Sequence, residues 1–146
     1  MDYSISTENL YELIDEEVSK VADEAYADSG SSLYDSIILT GKDAATVNRH
    51  IDDAVDALVA RAGDIAKRAT VNDTPAIKFY VPDMETGNQT MASNEITRYI
   101  VLSVCAAIFA QRRPIVLQEY ATRAQAAMDR AIVILKTRKP VLETWS

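Results

Sequence analysis

One run constrains this chain before anything else: "YIVLSVCAAIFAQRRPI", Tyr99 to Ile115. Between Tyr99 and Ala110 only Ser103 is polar, and the run is closed by Arg98 on one side and by Gln111, Arg112 and Arg113 on the other. As a helix these dozen residues extend roughly 18 Å, at about 1.5 Å per residue. A bilayer's hydrocarbon core is about 30 Å thick. A helix that is apolar on every side yet too short to span a membrane is one surrounded by other helices. The run reads as the core helix of a mainly α protein.

The chain around it supplies the partners. At 146 residues, with 48% apolar and 25% charged side chains, it has the length and composition of one globular domain. Four glycines and four prolines leave few turns, so the helices should be long. Ser6 or Thr7 can cap a first helix, with Glu8 in its first turn and Leu10, Leu13, Ile14, Val18, Val21 and Ala25 at helical spacing. "DSGSS" ends it, and "LYDSIIL" reads as a short second helix. Asp43 can cap a third helix of roughly 26 residues, whose stripe runs from Val47 through Ile51, Val55, Leu58 and Ala62 to Ile65 and Ala66. Gly63 inside it costs about 1 kcal/mol relative to alanine.

At "VNDTPAIKFYVPDMETGNQT" the period changes to two: Ile77, Phe79 and Val81 alternate with Ala76, Lys78 and Tyr80. With Gly87-Asn88 as a turn pair and Pro82 confining it to a sheet edge, this predicts a small hairpin or extended arm over 74–92. Ser93 then caps the core helix, Pro114 opens a last helix, and Pro140 stops it. The last helix carries Leu117, Tyr120, Ala124, Ala127, Ala131 and Ile134 on one seam, with Glu119 and Arg123 as a surface pair. The expectation is therefore a bundle of about five helices with the arm between the third and fourth. Residues 1–140 form one helical domain, followed by a docking segment, 141–146. Ile100, Val104 and Phe109 should be buried against Tyr120, Ala124 and Met128.

Charge is uneven along the chain. Residues 1–75 carry 16 acidic and 6 basic side chains, a balance of −10, and residues 76–146 carry 6 and 9, a balance of +3; together they give the net −7. Such a split fits a partner surface, including another copy of the chain, and equally fits attraction between the halves of one monomer.

Few side chains suggest chemistry. His50 is the only histidine, and with Cys105 the only cysteine no zinc ligand set can be assembled from them. Cys105 also excludes an internal disulfide and suits a reducing compartment, and inside the apolar run it behaves as a small hydrophobe. The opening "MDYSISTENL" has no basic and then apolar stretch of a signal peptide. Asp52, Asp53 and Asp56 form a carboxylate cluster, with Asp52 and Asp56 on a shared face; it reads as a solvated acidic face or a site for a hard cation. There is no phosphate-binding glycine loop, nucleophile elbow or paired-cysteine motif, and no cofactor or enzymatic activity is expected.

The stretch "EITRYIVLSVCAAIFAQRRPIVLQEYATRAQAAMDRAIVILKTRKP" resembles the C-terminal half of the head–tail adaptor (connector) proteins of tailed bacteriophages and prophages. The likeness lies in the apolar "YIVLSVCAAIF" helix, a short break, and an Ala-rich helix ending "ILKTRKP". It implies a structural virion subunit, assembled in the host cytoplasm, that forms a ring of a dodecameric kind below the portal at the neck. Its partners would be itself, the portal and the next neck component, with genomic DNA passing non-specifically and no membrane involved. An acidic channel wall would not grip the phosphates. Expected subunit or portal contacts are Lys78, Tyr80 and Met84 on the arm, and Arg138, Lys139, Val141, Leu142 and Trp145 at the end. The alternative is a cytosolic, dimeric helical regulator; a third reading is a small metal-dependent enzyme using the Asp52–Asp56 face.

Overall fold

The computed structural model of the protein describes residues 2–29, 44–71, 74–80, 86–112 and 114–136. They form four helices and a small sheet: strand β1 (Asp2–Ser4), helix α1 (Thr7–Ser29), helix α2 (Ala44–Ala62), strands β2 (Ala66–Val71) and β3 (Thr74–Phe79), then helices α3 (Thr86–Arg112) and α4 (Pro114–Lys136). The expected second helix at "LYDSIIL" and the Asp43 cap lie outside the described residues. None of the helices among the described residues is long and apolar enough to cross a membrane.

α3 is the helix that the apolar run dictates. It packs against α1, α2 and α4 and buries Ile96, Ile100, Val104, Cys105, Ile108 and Phe109. α4 lies along it as a helical hairpin, with Ala124, Ala127 and Ala131 buried on the small-residue seam that lets the two backbones approach. α1 contributes Leu10, Ile14, Val18 and Val21, and α2 contributes Val47, Ile51, Val55 and Leu58, to the same cluster. Leu13, on the expected α1 stripe, is instead 36% exposed at its margin. The cap at the start of α1 is Ser6: its hydroxyl accepts the Asn9 N–H at 3.1 Å and its carbonyl accepts the first helical N–H, from Leu10.

Three expectations are corrected. The third helix does not reach residue 68. It ends at Ala62, where Gly63 takes φ +65°, a left-handed conformation that closes helices and that side chains with a Cβ resist. A single 3₁₀ turn (Gly63–Ile65) follows, and the chain turns into β2. Nothing lies within 4 Å of a Cβ built at Gly63, so Gly63→Ala meets only the backbone cost. A loss of about 1–2 kcal/mol in urea unfolding is expected; no loss would mean that the helix end does not need the left-handed residue.

Second, the described parts of the 74–92 segment, 74–80 and 86–92, are neither an edge strand nor an arm. β3 is the central strand of the order β1-β3-β2, antiparallel to both neighbours, with Tyr3 opposite Ile77 and Ala66 opposite Phe79. Its hairpin partner precedes it in the chain, with Val71 opposite Thr74 across two residues. Pro82 did not decide the matter because the strand ends before it, at Phe79. Pro75 sits one residue beyond the last β1 pair, Ser4–Ala76, so it has a neighbour on one side only, which a residue without an N–H tolerates. Third, α3 begins at Thr86, not at Ser93, and Gly87-Asn88 belongs to its first turn. Ala92 and Ile96 extend the buried face of the core helix in that direction.

Ile77 and Phe79 point the inner face of the sheet into the helical core, and both are fully or almost fully buried. Lys67 and Lys78, directly opposite one another in register, are exposed on the other face.

Candidate interaction surface

The tyrosines tie the elements together. Tyr3 on β1 is buried, and its hydroxyl lies 3.0 Å from Thr97 Oγ1 on α3. Tyr11 on α1 hydrogen-bonds to Asn48 Oδ1 on α2. Tyr99 on α3 donates to the Ala54 carbonyl on α2 at 2.8 Å, using that oxygen's second lone pair. Tyr120 on α4 donates to Glu17 Oε2 on α1 at 2.8 Å. The Tyr120 ring also takes Phe109 edge-on, centroids 5.1 Å apart at 66°, and carries the Arg123 guanidinium 5.3 Å above it.

These groups are built for holding. Burial, followed by the hydrogen bond to Glu17 and its charge, pushes the Tyr120 phenol well above its usual range. At neutral pH it is a fixed donor. Burial likewise pushes the Cys105 thiol far above its ordinary range, so it is neither a thiolate nor a ready nucleophile. His50 is half-buried, and burial together with Arg49 lowers its pKa, partly offset by Asp53.

The carboxylate cluster has a cation already, supplied by the chain. Arg68 on β2 reaches Asp52 Oδ1 at 2.6 Å and Asp56 with its other terminal nitrogen. Spacing of four residues on α2 places both acids on one face, and the strand after Gly63 swings the arginine across them. All three side chains are well exposed, so the clamp contributes on the order of 1 kcal/mol or less per pair. Among the described residues no group of three or more potential metal ligands comes together.

Two grooves run along α3 and α4. An open groove of about 540 Å³ between α1 and the α3–α4 hairpin is lined by Leu13, Glu16 and Glu17 on one side and by Arg98, Arg123 and Arg130 on the other. It continues past Asn94, Arg98 and Arg130 into a second groove of about 570 Å³, between the start of α3 and the end of α4. Met91 and Val133, exposed by 55% and 66%, line that second groove. Glu95 holds Arg130 at 3.1 Å and Arg98 at 3.9 Å, while Arg61 from α2 holds Asp129 at 2.8 Å.

Of the expected contact residues, Lys78 and Tyr80 are described. Lys78 is exposed in mid-sheet, and Tyr80, 56% exposed, follows β3 with its N–H donated to the Ile65 carbonyl at 2.8 Å. Met84, Arg138, Lys139, Val141, Leu142 and Trp145 lie outside the described residues. Ile100, Val104, Phe109, Tyr120 and Met128 are buried in the shared core. The Arg68 clamp, the tyrosine ties and the two grooves did not follow from the sequence reading. The one available signal was the placement of Tyr99 and Tyr120 on buried stripes, where a phenol hydroxyl needs a partner.

α1 turns a face of like charge outward. Glu8, Glu12, Asp15, Glu16 and Asp23 are all exposed on it and none is ion-paired among the described residues, with Lys20 the nearby base. The ion pairs that join the two halves of the chain do not neutralise this face: Arg61–Asp129 runs from a base of the acidic half to an acid of the basic half. Comparison with protein-family models, curated proteins and solved structures finds no match for this chain.

Proposed function

We propose that the chain is a structural subunit that assembles with copies of itself, and that the assembly is the head–tail adaptor ring its sequence resembles, seated below a portal and continuing the DNA channel. One observation carries the reading: the subunit sets like charges beside one another on two separate surfaces of opposite sign. Glu8, Glu12 and Glu16 succeed one another at four-residue spacing on α1, where like charges repel. On the outer face of the sheet Lys67 stands directly opposite Lys78, whose other cross-strand neighbour in register is Asp2, so the row keeps one positive charge in excess. The α1 row costs stability in an isolated subunit, and the basic excess on a neighbour's sheet would relieve it. Unlike patches at different places on one chain make a head-to-tail contact, the kind that closes into rings. The rigid hairpin of α3 and α4 fits a channel-forming body, and no described constellation calls for chemistry.

Charge reversal tests this directly. Glu12→Lys with Asp23→Lys on α1, and separately Lys78→Glu on β3, are expected to leave each subunit folded. Glu12→Lys gains favourable pairs with Glu8 and Glu16 of about 0.2–0.5 kcal/mol each. Each variant alone should lose assembly, read as native mass with and without portal, and the assembly should weaken as salt rises. Mixing the two variants should restore it, at least in part. Assembly indifferent to all three substitutions removes the proposed contact, and absence of the chain from the neck of intact virions removes the adaptor role.

A further inference from the structure

The second groove has an apolar floor and a basic rim. Met91 and Val133 face each other across it from α3 and α4, with Ile134 half-buried beside them. Single exposed aliphatics are ordinary, but a methionine and two branched side chains gathered around one concavity leave apolar surface uncovered. At the rim, Arg98 and Arg130 share the single carboxylate of Glu95, and the other acid, Asp129, is held by Arg61. Three guanidinium groups against two carboxylates leave one positive charge in excess.

The groove opens beside the place where the described chain leaves the fold. Val133 and Ile134 lie in the last turn of α4, which ends at Lys136. Ten residues follow, "TRKPVLETWS". Fully extended they reach about 33–36 Å, whereas the lining from Met91 to Arg98 spans only about 10 Å of helix. The four residues through Pro140 are enough to reverse the chain's direction, and proline prevents the helix from carrying it away. We propose that segment 141–146 folds back into this groove of its own chain. Trp145 and the Val141–Leu142 pair cover Met91 and Val133, and Glu143 supplies the negative charge that the Arg98–Arg130 rim lacks. A methionine floor suits an indole, since thioethers pack well against aromatic rings, and a guanidinium rim can stack on its face. This inference does not depend on the adaptor reading.

Trp145 is the only tryptophan, so its fluorescence reports on this segment alone. In the full chain the emission should be blue-shifted and its quenching by acrylamide several-fold weaker than in denaturant, both unchanged on dilution. Val133→Asp and Met91→Asp alter side chains that are more than half exposed, so each should keep its helical circular dichroism. Each should also move the emission to the red and restore quenching. Red emission in the unmodified chain overturns the proposal, as does blue emission that ignores both variants. Blue emission that is lost on dilution overturns it in favour of a second copy as the occupant.

Discussion

Phe109→Ala is expected to cost about 3–5 kcal/mol of folding stability, the range of large-to-small changes at fully buried aromatic positions. Phe109 is 0% exposed at the C-terminal end of α3, and its ring meets Tyr120 edge-on with centroids 5.1 Å apart. Truncation therefore removes the apolar burial and a ring pair worth about 0.5–1.5 kcal/mol. It also loosens the Tyr120 ring, which supports Arg123 and aims the hydroxyl at Glu17 on α1. For a chain of this length the melting point should fall by roughly 6–20 °C, at about 2–4 °C per kcal/mol. Tyr120→Phe separates the contributions. It keeps the ring pair and deletes the 2.8 Å hydrogen bond to Glu17, so it should cost only about 1–3 kcal/mol. If Phe109→Ala leaves the urea midpoint in place, the α3–α4 hairpin is not the structural centre of the protein.

The hairpin was legible because its signals are local. An uninterrupted apolar run states by itself that α3 is surrounded, and steps of three and four residues state which side of α4 faces it. The stripes of α1 and α2 are legible for the same reason. The sheet was not. β1 contributes only three residues, too few to display a period of two, and it pairs with residues more than seventy positions away. β3 looked like an edge because Pro82 follows it, and its second neighbour, β1, lies too far away in sequence to weigh against that.

The misplaced end of α2 teaches the same lesson at a single residue. Ile65 and Ala66 continue the helical phase of Val47, Ile51, Val55 and Leu58, so periodicity carries the helix past Gly63. The glycine's cost in a helix and its freedom at φ > 0 are both known from sequence, but which one operates is decided by tertiary context. Here the strand gains more than the extra helical turns would, because β2 gives β3 its hairpin partner and brings Arg68 over Asp52 and Asp56. The acidic pair was visible as an i, i+4 spacing; its arginine was not, since reaching it required knowing that the helix stops. The grooves stayed hidden for a related reason, as each is made by helices far apart in sequence or by opposite ends of two helices.

Tyr3→Ala is expected to cost about 3 kcal/mol or more, the range of large-to-small changes at buried aromatic positions. Tyr3 is only 3% exposed, wedged over α3 with its hydroxyl 3.0 Å from Thr97, and it pairs with Ile77 on the central strand. Removing the ring empties part of the core and detaches β1. That would leave one side of β3 an open edge, so the variant should also aggregate more readily on heating. Tyr3→Phe isolates the hydroxyl and should cost only about 1 kcal/mol at neutral pH. Its larger signature lies in alkali. Burial raises the Tyr3 phenol to about 12, a shift that the Thr97 hydrogen bond tempers, whereas an unfolded tyrosine ionises near 10. Above that pH the unfolded chain releases the proton first, so stability is full below about pH 10 and falls as the pH rises toward about 12, by on the order of 2 kcal/mol from this group. Tyr99 and Tyr120, raised in the same direction, steepen the decline. Unfolding followed across that window should therefore show the unmodified chain losing stability faster than Tyr3→Phe, with the two curves converging and then crossing as alkali increases. Parallel curves would mean that Tyr3 titrates as a solvent-exposed phenol and that β1 does not seal the sheet.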